Sequence, residues 1–356
     1  METPRRAIRV GFDQRLAAYR MGGISRYTLE IGNALAHLPD IDLTRLRHGS
    51  DSAATARGIT LRTPPHHRIE TYAVGIELAM QRERFDVYHA TDFVAPRFTR
   101  CPVVVTIHDL AFIRWPDHLS RDALRYYRQV ERQRQRVAHW ITPSEWTKAE
   151  LVDLVGVRAD QITVIPHGVS SFLSRGNVVP RSEREPVVVA VGTVEPRKRY
   201  DLLLDAFERM SPQPELVVIG DGGWNTEALQ GRLRSTGGVT WLDRASDADI
   251  DRLLSNALAL AIPSLAEGFG LGALEAMSRG TPVVSSGLGA LKEVTGDAAA
   301  VPARDDPDSW AEALESVIHD ESQWQLLSNA GVRRAEAFTW PEAARRTAEV
   351  YRLVAG

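Results

Sequence analysis

The chain has 356 residues, of which 44% are hydrophobic and 25% charged, and its formal net charge is −3. That length exceeds an ordinary single α/β domain, so two domains are expected, and the composition is that of a globular protein. The single cysteine, Cys101, excludes an internal disulfide and a cysteine-built zinc site, no apolar run reaches the ~18 to 20 residues of a membrane span, and the mild acidity argues against nucleic-acid binding.

Short apolar strands alternate with helix-period segments from end to end, the pattern of parallel α/β sheets. The start, METPRRAIRV, runs straight into the first strand with no signal-peptide core, so the protein is expected to stay in the cytoplasm. In the first half the pattern predicts strands at 8–12, 87–89, 103–107, 140–142 and 162–165. After the first of these, a long loop ends in Gly22-Gly23 before a helix. Paired glycines there either bring backbone N–H groups to an anion or mark a plain turn. Arg26 lies one turn further on. His108 and Asp109 follow CPVVVTI, at the carboxyl end of a strand, where parallel sheets present ligands or simply begin a turn.

Residues 121–137, RDALRYYRQVERQRQRV, read as one helix. Arg121, Arg125, Arg128, Arg132 and Arg136 then form a stripe about 80° wide at ~100° per residue. Such a stripe is either a solvated face or a contact for an anionic membrane surface or anionic acceptor. Ser144 is placed as the cap of the next helix.

Residues 173–186 are polar, carry two prolines and show no period, and read as a linker. Domains are therefore expected at 1–172 and 187–337. In the second half strands are predicted at 187–191, 216–219, 239–242, 259–262 and 283–285. The first of these runs into GTVEPRK, setting Arg197 and Lys198 at a strand's carboxyl end, as a basic turn or as a diphosphate site. Gly220-Asp221-Gly222-Gly223 makes a similar turn after the next strand.

The densest signal is PSLAEGFGLGALEAMSRGTPVVSS. Here a strand leads through a glycine-rich loop, Gly268 to Gly272, into a helix, so Glu267 falls in the loop and Glu275 inside the helix. Glycines that admit a ligand to the backbone, beside the positive end of a helix, favour an anion. A carboxylate before that site can grip sugar hydroxyls, and one a turn beyond can accept from a ribose diol. The paired aspartates at 247, 249 and 251 and at 306 and 308 lie at polar helix starts, where acids serve as caps, so no required metal is expected. The tail, residues 338–356, predicts a helix capped by Thr339 with Pro341 in its first turn.

Two glutamates separated by seven residues within EGFGLGALEAM, followed by GTPVVSS, resemble the hallmark of the retaining glycosyltransferases of family 4. The resemblance spans nearly the whole chain and is strongest over 187–302. It implies the GT-B fold: two facing Rossmann-like α/β domains with parallel sheets, a donor cleft between them, and a last helix, 338–356, that returns to the first domain. It also implies roles. Lys198 matches the lysine that neutralises the leaving diphosphate, and Arg197 is a second candidate cation, although Thr193 stands where many members carry an arginine. His108 matches the histidine that touches the donor hexose. Glu267, Gly268, Phe269, Gly270, Leu271 and Glu275 form the donor loop, Gly22 and Gly23 the first-domain glycine loop, and Trp241 and Leu242 lie in the region that frames the base.

The implied activity is metal-independent transfer of a hexose from a nucleotide diphosphate sugar to a hydroxyl of a glycan or lipid-linked acceptor. GTVEPRK with EGFGLGALEAM looks most like the mannosyltransferase-type members of bacterial polysaccharide synthesis, which favours GDP-mannose as co-substrate and calls for no separate cofactor. The stripe from Arg121 to Arg136 would add peripheral contact with the inner face of the membrane. The rival readings are a nucleotide-sugar epimerase of the same fold and a non-catalytic subunit.

Overall fold

A computed structural model of the chain describes residues 6–18, 22–49, 58–118, 121–173, 178–223 and 226–356. It divides into two compact units, Met1–Gly168 with Thr339–Gly356, and Val169–Phe338. Each is built on one parallel sheet.

The first unit has seven strands: β1 (Ile8–Asp13), β2 (Ile41–His48), β3 (Gly58–Leu61), β4 (Val87–Ala90), β5 (Val103–Thr106), β6 (His139–Thr142) and β7 (Ile162–Val164). Their order is β3-β2-β1-β4-β5-β6-β7, so the winding reverses between β1 and β4. The central strands β4, β5 and β6 are buried along their whole length, which is why they read as short apolar runs.

Two strands escaped the apolar pattern. In β2, IDLTRLRH, Arg45 and Arg47 are buried, so the strand carries charge where a core strand is expected to be apolar. Its partners explain how: Arg45 donates to Gln14 Oε1 at 2.8 Å, to the Gly32 carbonyl at 3.0 Å and to Asn33 Oδ1 at 3.0 Å. The edge strand β3 is short and mostly exposed. A second apolar layer comes from the tail. The helix Trp340–Ala355, whose N-cap Thr339 accepts from the Glu342 N–H, buries Trp340, Ala344, Ala348 and Tyr351 in the core that holds Val10, Phe12 and Ile31. Gly168 makes room for it, because a Cβ there would lie 2.3 Å from the Trp340 nitrogen. At the centre of this contact the Tyr351 hydroxyl meets His89 Nδ1 at 2.6 Å, and Thr106 Oγ1 meets Nε2 at 2.8 Å.

The second unit carries β8 (Glu185–Val191), β9 (Glu215–Ile219), β10 (Val239–Leu242), β11 (Ala257–Ile262), β12 (Val283–Ser285) and β13 (Ala299–Ala300). The order β10-β9-β8-β11-β12-β13 reverses between β8 and β11. Helices on both faces close two apolar cores, one around Tyr200, Phe207, Trp310 and Trp324, the other around Leu260, Leu274, Met277 and Leu291.

Composition predicts a linker at 173–186, yet residues 178–186 of it pack on this unit, and β8 begins at Glu185. Arg184 is the reason. Its buried guanidinium donates to the carbonyls of Val179, Ala257 and Arg279 and to Thr281 Oγ1, at 2.6 to 3.0 Å, and lies 5.0 Å over the Trp324 ring. A single charged side chain fully satisfied in this way outweighs the polar composition around it.

The arginine stripe is not continuous. Helix Arg121–Tyr127 ends, a turn at Arg128 intervenes, and helix Gln129–Gln133 follows. The Tyr126 carbonyl accepts from the Gln129 side-chain amide at 3.0 Å, a local bond that competes with helical continuation. Arg125, Arg128 and Arg132 are exposed, whereas Arg136 follows the second helix in a turn and is partly covered; the side chain of Arg121 lies outside the described residues. Among the described residues no helix is long and apolar enough to cross a membrane.

Tyr351→Phe removes the hydroxyl that meets a buried ring nitrogen of His89, so it is expected to cost about 1–3 kcal/mol in urea denaturation. An unchanged midpoint would mean that the tail helix does not dock as described.

Candidate active site

The carboxyl ends of β8 and β11 lie side by side at the point where the order of the second sheet reverses, which is where open α/β sheets hold ligands. After β8 the chain passes through Gly192 and Val194 into a single tight turn, Pro196–Lys198, and Arg199 in the left-handed region (φ 52°) redirects it into helix Tyr200–Phe207. After β11 it runs through Ser264 and Glu267 to Gly270, whose φ of 98° starts helix Leu271–Ser278. A side chain at Gly270 would meet the tip of Leu291 at 2.7 Å, and the left-handed backbone there requires glycine. The turn after β9 is fixed by the same logic: a Cβ on Gly220 would lie 2.1 Å from the Gly192 carbonyl oxygen, so it is there for close packing of two loops.

These turns bring Lys198 and Glu267 together. Lys198 Nζ donates to Glu267 Oε1 at 2.5 Å, and each side chain is only 12% exposed. Arg197 Nη1 approaches Glu267 Oε2 at 3.5 Å, donates to the Ala266 carbonyl at 3.0 Å, and through Nε pairs with Glu195 at 2.9 Å. Ser264 Oγ donates to Glu267 Oε1 at 2.7 Å, and the Leu265 N–H donates to the Arg197 carbonyl at 2.8 Å, stitching the two loops together. Burial alone would raise the Glu267 pKa, but the charges of Lys198 and then Arg197, with the hydrogen bonds from Lys198 and Ser264, pull it down to about 2. Glu267 is thus a permanent anion flanked by two cations. Glu195 and Ser264 belong to this cluster and were not singled out in the sequence, since neither residue type carries a spacing signal.

Glu275 lies in helix Leu271–Ser278, two turns' worth of chain from Glu267 but apart from that cluster. It is buried, and the Ser170 hydroxyl donates to its Oε1 at 2.5 Å. Gly268 and Phe269 are buried, Phe269 edge-on to Phe338 at 5.9 Å, while Leu271 is half-buried where the first N–H groups of the helix have no intrahelical partner by geometry. Trp241 is half-buried; its indole N–H donates to the Gly220 carbonyl at 2.9 Å and Arg234 covers its ring at 4.5 Å. Leu242 packs against the second core. Both thus carry packing duties, and Trp241 has already used its only donor.

In the first unit, Gly22 caps helix Gly23–Ala36 with no side-chain bond, and among the described residues nothing lies within 4 Å of a Cβ placed on Gly22 or Gly23. His108 follows β5, and its Nε2 meets the Thr91 carbonyl at 2.9 Å, so that nitrogen carries the proton. Its ring is edge-on to Tyr27 at 4.7 Å. Burial lowers its pKa, so it is a neutral imidazole with Nδ1 able to accept. Asp109 Oδ1 accepts from the Ala111 N–H at 3.0 Å, the turn role read from sequence.

A second polar cluster, unforeseen in the sequence, sits where β1 and β4 part. Arg15 pairs with Asp13 and Glu70, each at 2.6 Å, Tyr88 donates to Asp13 at 2.8 Å, Tyr126 to Glu70 at 2.5 Å, and His66 Nε2 faces Asp92 at 3.1 Å. Its members are scattered from residue 13 to 126, so only the tertiary fold assembles it.

Residues 177–334 match the family model described as glycosyl transferases group 1, and residues 21–171 that of glycosyltransferase family 4. The chain is 30% identical to O-antigen chain mannosyltransferase B of Escherichia coli over 94% of this chain and 97% of that one. It is also 30% identical to the MMP alpha-(1->4)-mannosyltransferase of Mycolicibacterium hassiacum, over 77% and 72%. Among solved structures, sucrose-phosphate synthase of Thermosynechococcus elongatus superposes with a TM-score of 0.79 at 21% identity, covering 98% of this chain and 99% of that one. An Anabaena protein in complex with UDP and glucose gives 0.76 at 19%, covering 97% and 100%. These structural likenesses speak to the fold.

A carboxylate whose folded pKa is depressed stabilises the folded chain fully above its unfolded value near 4.5, and the advantage fades as pH falls towards 2. Glu267→Gln should therefore melt several degrees below wild type at neutral pH, with the gap closing between about pH 4.5 and 2 in paired thermal scans. A gap independent of pH in that window would remove the ion-pair account.

Proposed function

The chain belongs to the family 4 glycosyltransferases and has their GT-B fold, and we propose that it transfers mannose from GDP-mannose to a hydroxyl of a glycan or lipid-linked acceptor, with retention of anomeric configuration and without a required metal. The observation that carries this reading is the Lys198–Glu267–Arg197 cluster at the switch point of the second sheet, in a chain 30% identical to a mannosyltransferase over almost the full length of both.

The chemistry follows from charge. As the glycosidic bond breaks, negative charge builds on the leaving diphosphate. Lys198, with Arg197, and the N–H groups that open helix Leu271–Ser278 supply fixed positive charge to meet it. Glu267 holds those cations in place when no donor is bound and accepts from sugar hydroxyls when one is. A carboxylate held near a pKa of 2 by two cations is a poor nucleophile, which favours attack on the same face, with the leaving phosphate taking the acceptor proton. Glu275 accepts from the ribose diol, and neutral His108 offers Nδ1 to a donor hydroxyl near the reacting carbon. The reaction is assigned to the cytoplasm, where nucleotide sugars are the co-substrates and no further cofactor is called for.

The test is thermal unfolding against GDP, UDP, dTDP and ADP with their sugar conjugates, each with and without EDTA. A ligand at a hundredfold over its dissociation constant adds about 2.7 kcal/mol, a shift of several degrees. An EDTA-insensitive shift with GDP and GDP-mannose is expected; a shift with UDP alone overturns the choice of donor, and none at millimolar ligand overturns the donor site. Lys198→Ala should lower turnover roughly 10²-fold with the fold intact, and wild-type turnover would remove its role. Proton NMR of the product should show the anomeric configuration of the donor, and an epimerised or unattached sugar would point to the rival epimerase reading.

A further inference from the structure

Glu195 ends the extended stretch after β8, with φ −131° and ψ 151°, and its carbonyl accepts from the Lys198 N–H at 2.9 Å, closing the turn that carries both cations. The turn after β9 seats its side chain. The Val194 N–H donates to the Asp221 carbonyl at 2.8 Å, and the Gly223 N–H donates to the Val194 carbonyl at 2.9 Å. A Cβ on Gly223 would lie 2.9 Å from Glu195 Cγ, so a residue without a side chain leaves the space into which Glu195 leans. From there Glu195 Oε2 accepts from Arg197 Nε at 2.9 Å, while Nη1 of the same guanidinium donates to the Ala266 carbonyl at 3.0 Å and approaches Glu267 at 3.5 Å. Arg197 is thus shared by two carboxylates.

With Glu267 alone, Arg197 and Lys198 would leave one positive charge over, and Glu195 cancels it. Its side chain is 29% exposed, against 12% for Glu267, so it stands at the open edge of the cluster. A carboxylate beside cations that face a diphosphate weakens the ground-state grip on that anion, so affinity does not account for it. The reaction does, given the donor site assigned above. The bond from the anomeric carbon to the β-phosphate oxygen breaks, the carbon joins the acceptor oxygen, and the acceptor proton passes to the phosphate, which yields it to water near neutral pH. The terminal phosphate therefore leaves with about two negative charges where the nucleotide sugar brought one. Cations placed to meet charge as it develops hold that product more tightly than the donor, and slow product release limits turnover in many enzymes.

We propose that Glu195 is a positioning residue that holds Arg197 between two carboxylates, so that the site releases the product nucleoside diphosphate instead of retaining it. When the donor enters, Lys198 turns from Glu267 to the phosphate. Arg197, held at Nε, stays with Glu267 and keeps that buried carboxylate paired. The turn after β9 takes part as the seat of Glu195, which gives its glycines a place in the donor site without contact to the ligand.

The experiment is isothermal titration of the full chain with GDP and with GDP-mannose, or with the diphosphate and sugar nucleotide of whichever base shifts the wild-type melt, since binding needs no acceptor. Glu195→Gln and, as a second neutral variant, Glu195→Ala should bind the nucleotide sugar about threefold more tightly than wild type and the nucleoside diphosphate about tenfold, because doubling the terminal charge squares the Coulomb factor. Glu195→Asp keeps the charge and should return the ratio of the two affinities to within about twofold of wild type. Wild type that binds neither ligand overturns the donor site and this inference with it. Wild-type binding together with an unchanged ratio in the neutral variants, both ligands weakened alike, a ratio moved as far by Glu195→Asp, or loss of the folded state in both neutral variants overturns the role of Glu195 and leaves the donor site standing.

Discussion

The buried pairing of Glu267 with Lys198 and Arg197 is the constraint around which the second unit is arranged. A carboxylate with so little exposure stays ionised only because two cations and a serine hydroxyl surround it, and those groups come from two different loops. Each loop must therefore leave its strand at a fixed angle, which explains the left-handed residues Arg199 and Gly270 and the backbone contact at Gly220. Removing any one of the three charges leaves the others uncompensated in a partly dry site, so the cluster is held for electrostatic balance as much as for chemistry. In the proposed reaction a bound diphosphate would enter this balance as a second anion beside the same two cations.

The first unit solves a different problem. Its sheet needs a cover that its own sequence does not supply locally, and the last helix provides it, with Trp340 stacked on His167 and Tyr351 edge-on to His89. A core completed by a helix far along the chain makes the unit discontinuous. The same unit buries the Asp13–Arg15–Glu70 network at the reversal between β1 and β4, with His66 held at φ 60° beside Asp92. There the charges satisfy one another, as the members of a structural ion network do.

Much of this was legible in the sequence, for reasons that can be stated. Buried parallel strands are continuous apolar runs, so ten of the thirteen strands announce themselves, and Thr339, Ser144 and Pro341 mark helix starts through local hydrogen bonding and fixed φ. Those that stayed hidden had a tertiary cause: β2 buries two arginines, the acceptors of Arg45 lying on other segments, β3 is a short exposed edge, and β13 has two residues. The polar stretch before β8 read as linker because nothing local shows that three of the four acceptors of Arg184 lie on two distant segments, at Ala257 and at Arg279 to Thr281. The arginine stripe read as one helix because period alone does not register a side-chain amide taking a helical carbonyl at Tyr126.

By itself, the sequence determined the alternation of strand and helix, the two-sheet α/β class, the helix caps, the loops that carry Lys198, Glu267 and His108 and the helix that carries Glu275, because these depend on interactions between residues near one another in the chain. Only the tertiary structure decided which groups meet: that Glu267 is shared by Lys198 and Arg197 while Glu275 is met by Ser170, and that the tail completes the first core. Pairings of that kind depend on strand order and on the desolvation of each partner, and neither quantity is written in local spacing.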